Sequence, residues 1–267
     1  AARHLSVLDI DPRSAGPEAI AALQSHLLKE ADDPVALSRL AAIHEHEGSV
    51  ELAAKAYEKA IARNPKNTRL LVNLAALSSQ RLHDPQRALA LAKDAYKLAP
   101  EDSEVIATLG RRAFATGQYR WAASLLEQSV RKSGPDPELS FDLALAHYSL
   151  GRVADAETAV RTVLQSNQPF ARTNEARQFL DLLTLAAAPA SALAAESRIQ
   201  QILQAGSTNV PALMVLGAVA EQRGDSATAL RAYEQALKRF PDFMPAIRRL
   251  AILLAEKPGS EPRAYEL

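Results

Sequence analysis

The run His44-Glu45-His46-Glu47 has the most obvious chemical potential in this 267-residue sequence. Imidazole and carboxylate groups bind zinc, but ligands on one helix must be three or four residues apart to share a face. His44 and His46 are two residues apart. On a helix their side chains would point about 200° apart. We therefore interpret His44 as a packing residue and expect no metal site.

Acidic pairs and short motifs do not indicate catalysis either. Asp32-Asp33 and Glu101-Asp102 lie at the predicted starts of helices. Negative charge there stabilises the helix dipole, and this role is commoner than general acid–base chemistry. The sequence contains no HExxH, GxxxxGK[ST], GxGxxG or GxSxG motif, and it has no cysteine. We expect neither enzymatic activity nor a cofactor.

Composition limits the kinds of partner. Lys+Arg and Asp+Glu each number 31, so the formal net charge is zero. A dedicated nucleic-acid-binding protein is expected to carry a basic excess, so we expect no nucleic-acid partner. No apolar run is long enough to span a membrane, and residues 1–12 lack the apolar core of a signal peptide.

The run His44-Glu45-His46-Glu47 lies in a predicted pair of helices. Between Pro34 and Pro65, apolar residues recur at helical spacing in two stripes. Gly48 separates the stripes and can adopt the positive φ of a tight turn, whereas Pro65 ends the second helix. Neither helix can bury its stripe alone, so the pair needs neighbouring pairs.

This helix pair repeats with a period near 34 residues. Two landmarks, a leucine in the first helix and an alanine in the second, recur along the chain at the same intervals. The leucines are Leu40, Leu74, Leu109, Leu143, Leu182, Leu216 and Leu250, and the alanines are Ala53, Ala88, Ala122, Ala156, Ala195 and Ala229. We predict regular units at 34–67, 68–102, 103–136, 137–170 and 210–243, irregular helices at 1–33, a degenerate unit with a lengthened first helix at 171–209, and a truncated unit at 244–267.

Two features concern the joints and ends of this array. The turn of the degenerate unit uses Pro189 instead of glycine, and we expect a joint there between residues 34–170 and 210–267. A repeat array normally has polar terminal caps, and none is evident. We therefore expect a fragment of a longer protein, cytoplasmic or exported, with weak end-to-end homodimerisation as an alternative.

The helix–turn–helix period resembles the tetratricopeptide repeat family. A well-formed set of the family's small and large residues is Leu213, Leu216, Gly217, Gly224, Ala229, Tyr233, Ala236 and Pro241. The resemblance implies an all-α, right-handed solenoid of antiparallel helix pairs. It also implies a non-catalytic scaffold or adaptor that binds a peptide or protein segment in the concave groove.

Groove positions carried over from the family give a candidate site. Its members lie on the first helices of four consecutive units, with polar residues for the ligand backbone and aromatic residues as apolar anchors. The candidates are Arg39, Arg69, Asn73, Arg111, Phe114, Phe141, Asp142 and Tyr148. The basic clamp by which some members hold chaperone tails is not expected, because only Asn73 matches it.

A narrower resemblance covers residues 68–185. The DP-RAL turn, the APED unit end and the segment FARTNEARQFLDLL resemble bacterial repeat proteins linked to exosortase and exopolysaccharide systems. This implies an exported or membrane-attached bacterial scaffold. The alternative function is a recruiting or regulatory arm of a larger enzyme or of a secretion or polysaccharide-export system, whose other domains lie outside this sequence.

Overall fold

The protein is all-α, as the repeat predicts. The computed structural model describes residues 10–12, 15–134, 136–166, 168–188 and 193–256, and this part of the chain contains helices and no β-strand. A 3-10 turn, Leu193–Ala195, precedes α11. In chain order the helices are α1 (Pro17–Lys29), α2 (Pro34–His46), α3 (Val50–Arg63), α4 (Thr68–Gln80), α5 (Pro85–Leu98), α6 (Ser103–Ala115), α7 (Tyr119–Ser133), α8 (Pro137–Ser149), α9 (Val153–Gln165), α10 (Thr173–Ala187), α11 (Glu196–Ala205), α12 (Val210–Gln222), α13 (Ser226–Arg239) and α14 (Met244–Ala255).

Three predictions fall outside the described residues. They are the short helix over residues 1–10, most of which is not described, the joint at Pro189, and the partial second helix after residue 256. The first helix of the degenerate unit, α10, has 15 residues, whereas most first helices have 13. Among the described helices, none is long and apolar enough to cross a membrane.

Short polar side chains define where many helices begin. An N-cap oxygen accepts a backbone N–H of the first turn, which would otherwise have no partner. Asp84 caps α5 with its carboxylate 2.9 Å from the backbone nitrogen of Arg87, and Pro85 takes the first helical position. The other side-chain caps are Asp33, Asn67, Asp102, Asp136, Asn209 and Asp225.

Turns within the helix pairs depend on residues that tolerate a positive φ. Gly48 has a φ of 81°, which confirms its predicted role in a tight turn, and Gly151 has a φ of 75°. The turn between α4 and α5 has no glycine, and there His83 adopts a φ of 54°. Histidine is among the few residue types that enter this region at modest cost.

Small residues allow the two helices of a pair to approach closely. A Cβ atom added at Gly110 would lie 2.9 Å from Leu126, and one added at Gly217 would lie 2.4 Å from the Tyr233 ring. The absence of a side chain at Gly110 therefore permits close packing of α6 on α7. Interlocked stripes of alanine and leucine fill the core between successive helices.

The contacts divide the chain into two compact units, which we call the N-terminal unit (Ala1–Lys132) and the C-terminal unit (Ser133–Leu267). In the N-terminal unit, successive helices from α1 to α6 pack on one another. In the C-terminal unit, α10 packs on both α9 and α12, and α12 also packs on α11 and α13. Each unit buries its own apolar clusters.

Candidate functional site

A cavity of about 750 Å³ lies on the first helices of the N-terminal unit. The face of α2 that lines it carries Ser38, Ala42 and Glu45, and the facing side of α4 carries Arg69, Asn73 and Ala76. Both sets have the spacing of one helix face, so each helix presents a continuous strip. The cavity has the size of a typical ligand-binding cleft.

A hydrogen-bonded group crosses the floor of this cavity. Tyr57, on α3, is buried, and its hydroxyl donates to Glu45 Oε2 at 3.0 Å. The Asn73 side chain lies near that hydroxyl and opposes the rise in its pKa. Burial, and secondly the charge of Glu45, raises the pKa of Tyr57 well above its ordinary value, so the hydroxyl stays protonated. Tyr57 therefore holds Glu45 on one wall and lies beside Asn73 on the other.

Tyr57 is not among the candidate residues predicted from the sequence. A signal was available: a tyrosine twelve residues after a glutamate occurs at Glu45 and Tyr57 and again at Glu221 and Tyr233. A buried hydroxyl needs a partner, so the repeated spacing could have indicated the hydrogen bond.

The cavity contains charges of both signs. Arg39 is half-buried and Arg69 is exposed, and both line the cavity together with Asp11 and Glu45. A ligand is therefore offered cationic and anionic positions within one cleft, beside the Asn73 amide. Arg39, Arg69 and Asn73 are three of the predicted site residues, and the fold brings them together.

Two further predicted residues belong to the same unit but not to the cavity wall. Arg111 and Phe114 lie on α6, and both are half-buried. The Phe114 ring packs edge-on against Tyr119, with 5.3 Å between ring centroids, and contacts the apolar core beneath.

Two of the three predicted residues on α8, Phe141 and Tyr148, are not exposed in the groove. Phe141 is fully buried and Tyr148 is 3% exposed, so neither ring offers a surface to a partner. Phe141 packs edge-on against Phe179, with 6.0 Å between ring centroids, and the ring centroids of Tyr148 and Phe243 are 4.9 Å apart. Their register on the helix places them at the groove, but the C-terminal unit covers them with its own aromatic rings.

Asp142 is part of a local ion-pair group. Its carboxylate lies 2.6 Å from Arg172 Nη1, and Arg172 also pairs with Glu175. The Arg172 guanidinium stacks 4.6 Å from the Phe141 ring centroid. Burial by itself would lower the pKa of Arg172, but Glu175 and Asp142 outweigh burial and raise it. Asp142 thus helps to hold Arg172 over Phe141.

Comparison with models of known protein families identifies the family to which the chain belongs. Models described as tetratricopeptide repeat match residues 13–68, 107–171 and 210–253, together more than half of the chain. The chain belongs to the tetratricopeptide repeat family. Members of this family generally mediate protein–protein interactions, and the fold is typical of non-catalytic scaffolds.

Solved structures show the same tetratricopeptide repeat fold. Pseudomonas aeruginosa pilF aligns over 96% of this chain and 98% of its own, with 19% identity and a TM-score of 0.55. A tetratricopeptide repeat protein from Parabacteroides merdae aligns over 88% of this chain and 91% of its own, with 16% identity and a TM-score of 0.56. PilW, a type IV pilus biogenesis factor, aligns over 86% and 90%, with 15% identity and a TM-score of 0.52.

No curated protein sequence matches the chain significantly. The narrower resemblance of residues 68–185 to exosortase-associated repeat proteins is not supported by these comparisons. Because the sequence identities to the solved structures are low, the similarity to them establishes only the fold.

Repeat positions equivalent to three that line this cavity form a second hydrogen-bonded group in the C-terminal unit. There Tyr233 donates a hydrogen bond to Glu221, and Arg249 pairs with the same carboxylate. Glu221, Tyr233 and Arg249 occupy the repeat positions of Glu45, Tyr57 and Asn73. Where the N-terminal unit has a neutral amide, the C-terminal unit therefore has a guanidinium.

The histidines of the N-terminal unit have separate roles. His44 is half-buried with Nδ1 3.6 Å from Glu47, whereas His46 is exposed and lines the cavity. Among the described residues, one group, His26, Glu30 and Asp33, brings ligand-type atoms within 4.8 Å of one another. The 2.7 Å between His26 Nε2 and Asp33 Oδ2 is a hydrogen-bond distance, and Asp33 Oδ1 already caps α2. We interpret this group as a link between α1 and α2.

Proposed function

We propose that this tetratricopeptide repeat protein is a non-catalytic scaffold that binds a peptide or protein segment in the cavity of the N-terminal unit. One observation carries the proposal: Arg39, Arg69 and Asn73 meet in one cleft of about 750 Å³. The family's general role in protein–protein interaction supports the class of partner.

Asn73 is suited to hold the backbone of an extended segment. A side-chain amide has one acceptor oxygen and two N–H donors. Asn73 lines the cavity, so its amide can pair with the N–H and C=O groups of a ligand.

Charge in the cleft would select among such segments. Arg69 favours carboxylates, and Glu45 favours cationic side chains. We propose a ligand with charges of both signs, and we expect its association rate to fall as salt is added because rim charges act mainly on encounter.

The proposal is tested by affinity capture from a lysate of the source cell, followed by mass spectrometry. The wild-type chain is compared with an Arg39→Ala/Asn73→Ala variant. Arg131→Ala serves as a matched control, because Arg131 is an exposed arginine of the same unit outside the cavity. Circular dichroism checks that all three proteins have equal helicity.

We expect partners that the wild type and Arg131→Ala retain and that the double variant loses. Equal retention by all three proteins would place binding elsewhere and refute the proposal. An Arg111→Ala variant, measured in parallel, separates the cavity from the wider surface predicted from sequence, because Arg111 lies outside the cavity wall.

A further inference from the structure

The C-terminal unit contains a second cavity, of about 800 Å³, with a different chemical character. Its walls are formed mainly by apolar side chains from α10, α12 and α14. Both methionines of the chain, Met214 and Met244, line it. Methionine is flexible and polarizable, which suits a surface that must fit the shape of an incoming apolar group.

Two of the lining side chains expose apolar surface in a way that a folded chain usually avoids. Met244 is 60% exposed and Ile252 is 39% exposed, and both belong to α14. They stand eight residues apart, roughly two turns, and so lie on one side of the helix. Contiguous exposed apolar surface beside a cavity is characteristic of interaction sites.

The floor of this cavity is formed by aromatic side chains that pack on one another within the C-terminal unit. Tyr148 and Phe243 pack together beneath it, and both are buried. Tyr233 is held against Gly217 on one side and by Glu221 through its hydroxyl. A preformed floor lowers the entropic cost of binding.

Charge at the rim gives the cavity a preference for anions. Both oxygens of Glu221 are occupied, since Arg249 Nε lies 2.9 Å from Oε1 and Arg249 Nη2 pairs with Oε2. Arg248 also lines the cavity, is exposed, and has no acidic partner within the described part of the chain. With Glu221 neutralised by Arg249, the positive charge of Arg248 remains.

We infer that this cavity binds a peptide segment of a partner protein in which a large apolar side chain lies next to a carboxylate side chain. The apolar side chain enters between Met214, Met244 and Ile252, and the carboxylate pairs with Arg248. This inference does not rest on the proposed function, because the two cavities belong to different units and have no residue in common.

The test uses a phage-displayed library of random dodecapeptides, selected on the immobilised wild-type chain. Enriched peptides are then synthesised with a fluorescein label and titrated by fluorescence anisotropy. The variants are Met244→Ser/Ile252→Ser and Arg248→Glu, which change exposed side chains and spare the core. The controls are Leu52→Ser, an exposed apolar residue of the other unit, and Asn73→Ala in the first cavity.

We expect enriched peptides that combine an apolar residue with a neighbouring Asp or Glu. Met244→Ser/Ile252→Ser should weaken the Kd by about tenfold or more, because two apolar contacts are lost. Arg248→Glu should weaken it by roughly fivefold, an effect that shrinks at high salt. Leu52→Ser and Asn73→Ala should leave the Kd unchanged.

Three results would overturn the inference. The library could yield no peptide that distinguishes the wild type from the variants of α14. The enriched peptides could bind Arg248→Glu as tightly as the wild type. Binding could depend on Asn73 and be indifferent to Met244 and Ile252, which would assign those peptides to the first cavity and support the proposed function instead.

Discussion

At the scale of single residues, the repeat specifies where a side chain lies on its helix but not which other residues bury it. The register of the repeat puts Asn73 and Tyr148 on first helices at groove positions. The structure leaves Asn73 in an open cavity and buries Tyr148 against Phe243. That second contact joins residues nearly a hundred positions apart, and its geometry depends on how several helix pairs stack. A period of 34 residues holds no such information.

The aromatic residues illustrate the same limit. Five of the chain's six phenylalanines are in the C-terminal unit, and with Tyr148 they form one connected cluster of rings. Aromatic rings at exposed groove positions and rings in a core have the same sequence pattern. The sequence predicted Phe141 as an anchor because its position on the helix was known and its neighbours were not.

Asp33 gives a prediction that depends on pH. Burial by itself would raise the pKa of Asp33, but hydrogen bonds with His26 and with the amides of Val35 and Ala36 outweigh it and lower the pKa below 3.8. A carboxyl group whose folded pKa is depressed stabilises the fold above its unfolded pKa. This contribution is lost as the pH falls below 3.8 and through the folded pKa.

We therefore expect Asp33→Asn to lower the free energy of unfolding at pH 7 by about 1–2 kcal/mol. Asparagine still caps α2, so the loss reports the charged hydrogen bond to His26. The difference from wild type should narrow below pH 4 in urea titrations. Asp32→Asn is the control, because Asp32 makes only a surface pair with Arg63 and is half exposed. A difference that stays constant down to pH 3 would contradict this prediction.

At the scale of helices, close packing within a pair depends on one small residue. Gly110 and Gly217 occupy the same repeat position, but they face different partners. At Gly110 the partner is the flexible side chain of Leu126. At Gly217 it is the Tyr233 ring, which is rigid and whose hydroxyl is held by Glu221. The sequence predicts the need for a small residue, but not how much the neighbour can move.

This difference predicts different effects on stability for the same substitution at the two positions. Glycine to alanine inside a helix gains about 1 kcal/mol of helix propensity. Gly110→Ala should therefore stay within about 1 kcal/mol of wild type, because Leu126 can change rotamer. Gly217→Ala forces the Tyr233 ring to move, at a cost of about 1–3 kcal/mol that exceeds the gain. Urea denaturation followed by circular dichroism measures both, and equal effects would show that Tyr233 adapts as readily as Leu126.

At the scale of the whole molecule, the two sequence landmarks moving in step were sufficient to predict the fold class. The leucine and alanine series run through both units, and the structure is all-α with the helix pairs of a tetratricopeptide repeat solenoid. Local patterns also located the helix caps and turns, because capping and positive φ depend on the residues themselves. The unit boundaries stay predictions, and parts of the units at 171–209 and 244–267 also fall outside the described residues.

The separation of contacts into two units predicts how the molecule unfolds. The single tryptophan, Trp121, lies in the N-terminal unit, with the Lys93 ammonium 5.4 Å from its ring. Its fluorescence therefore reports that unit, whereas far-ultraviolet circular dichroism reports both. Repeat proteins are stabilised by contacts between neighbouring repeats, so a local defect need not spread along the chain.

We expect Gly217→Ala to lower the dichroism midpoint in urea and to leave the Trp121 fluorescence midpoint at its wild-type value. A fluorescence midpoint that shifts equally would show that the two units unfold as one cooperative body.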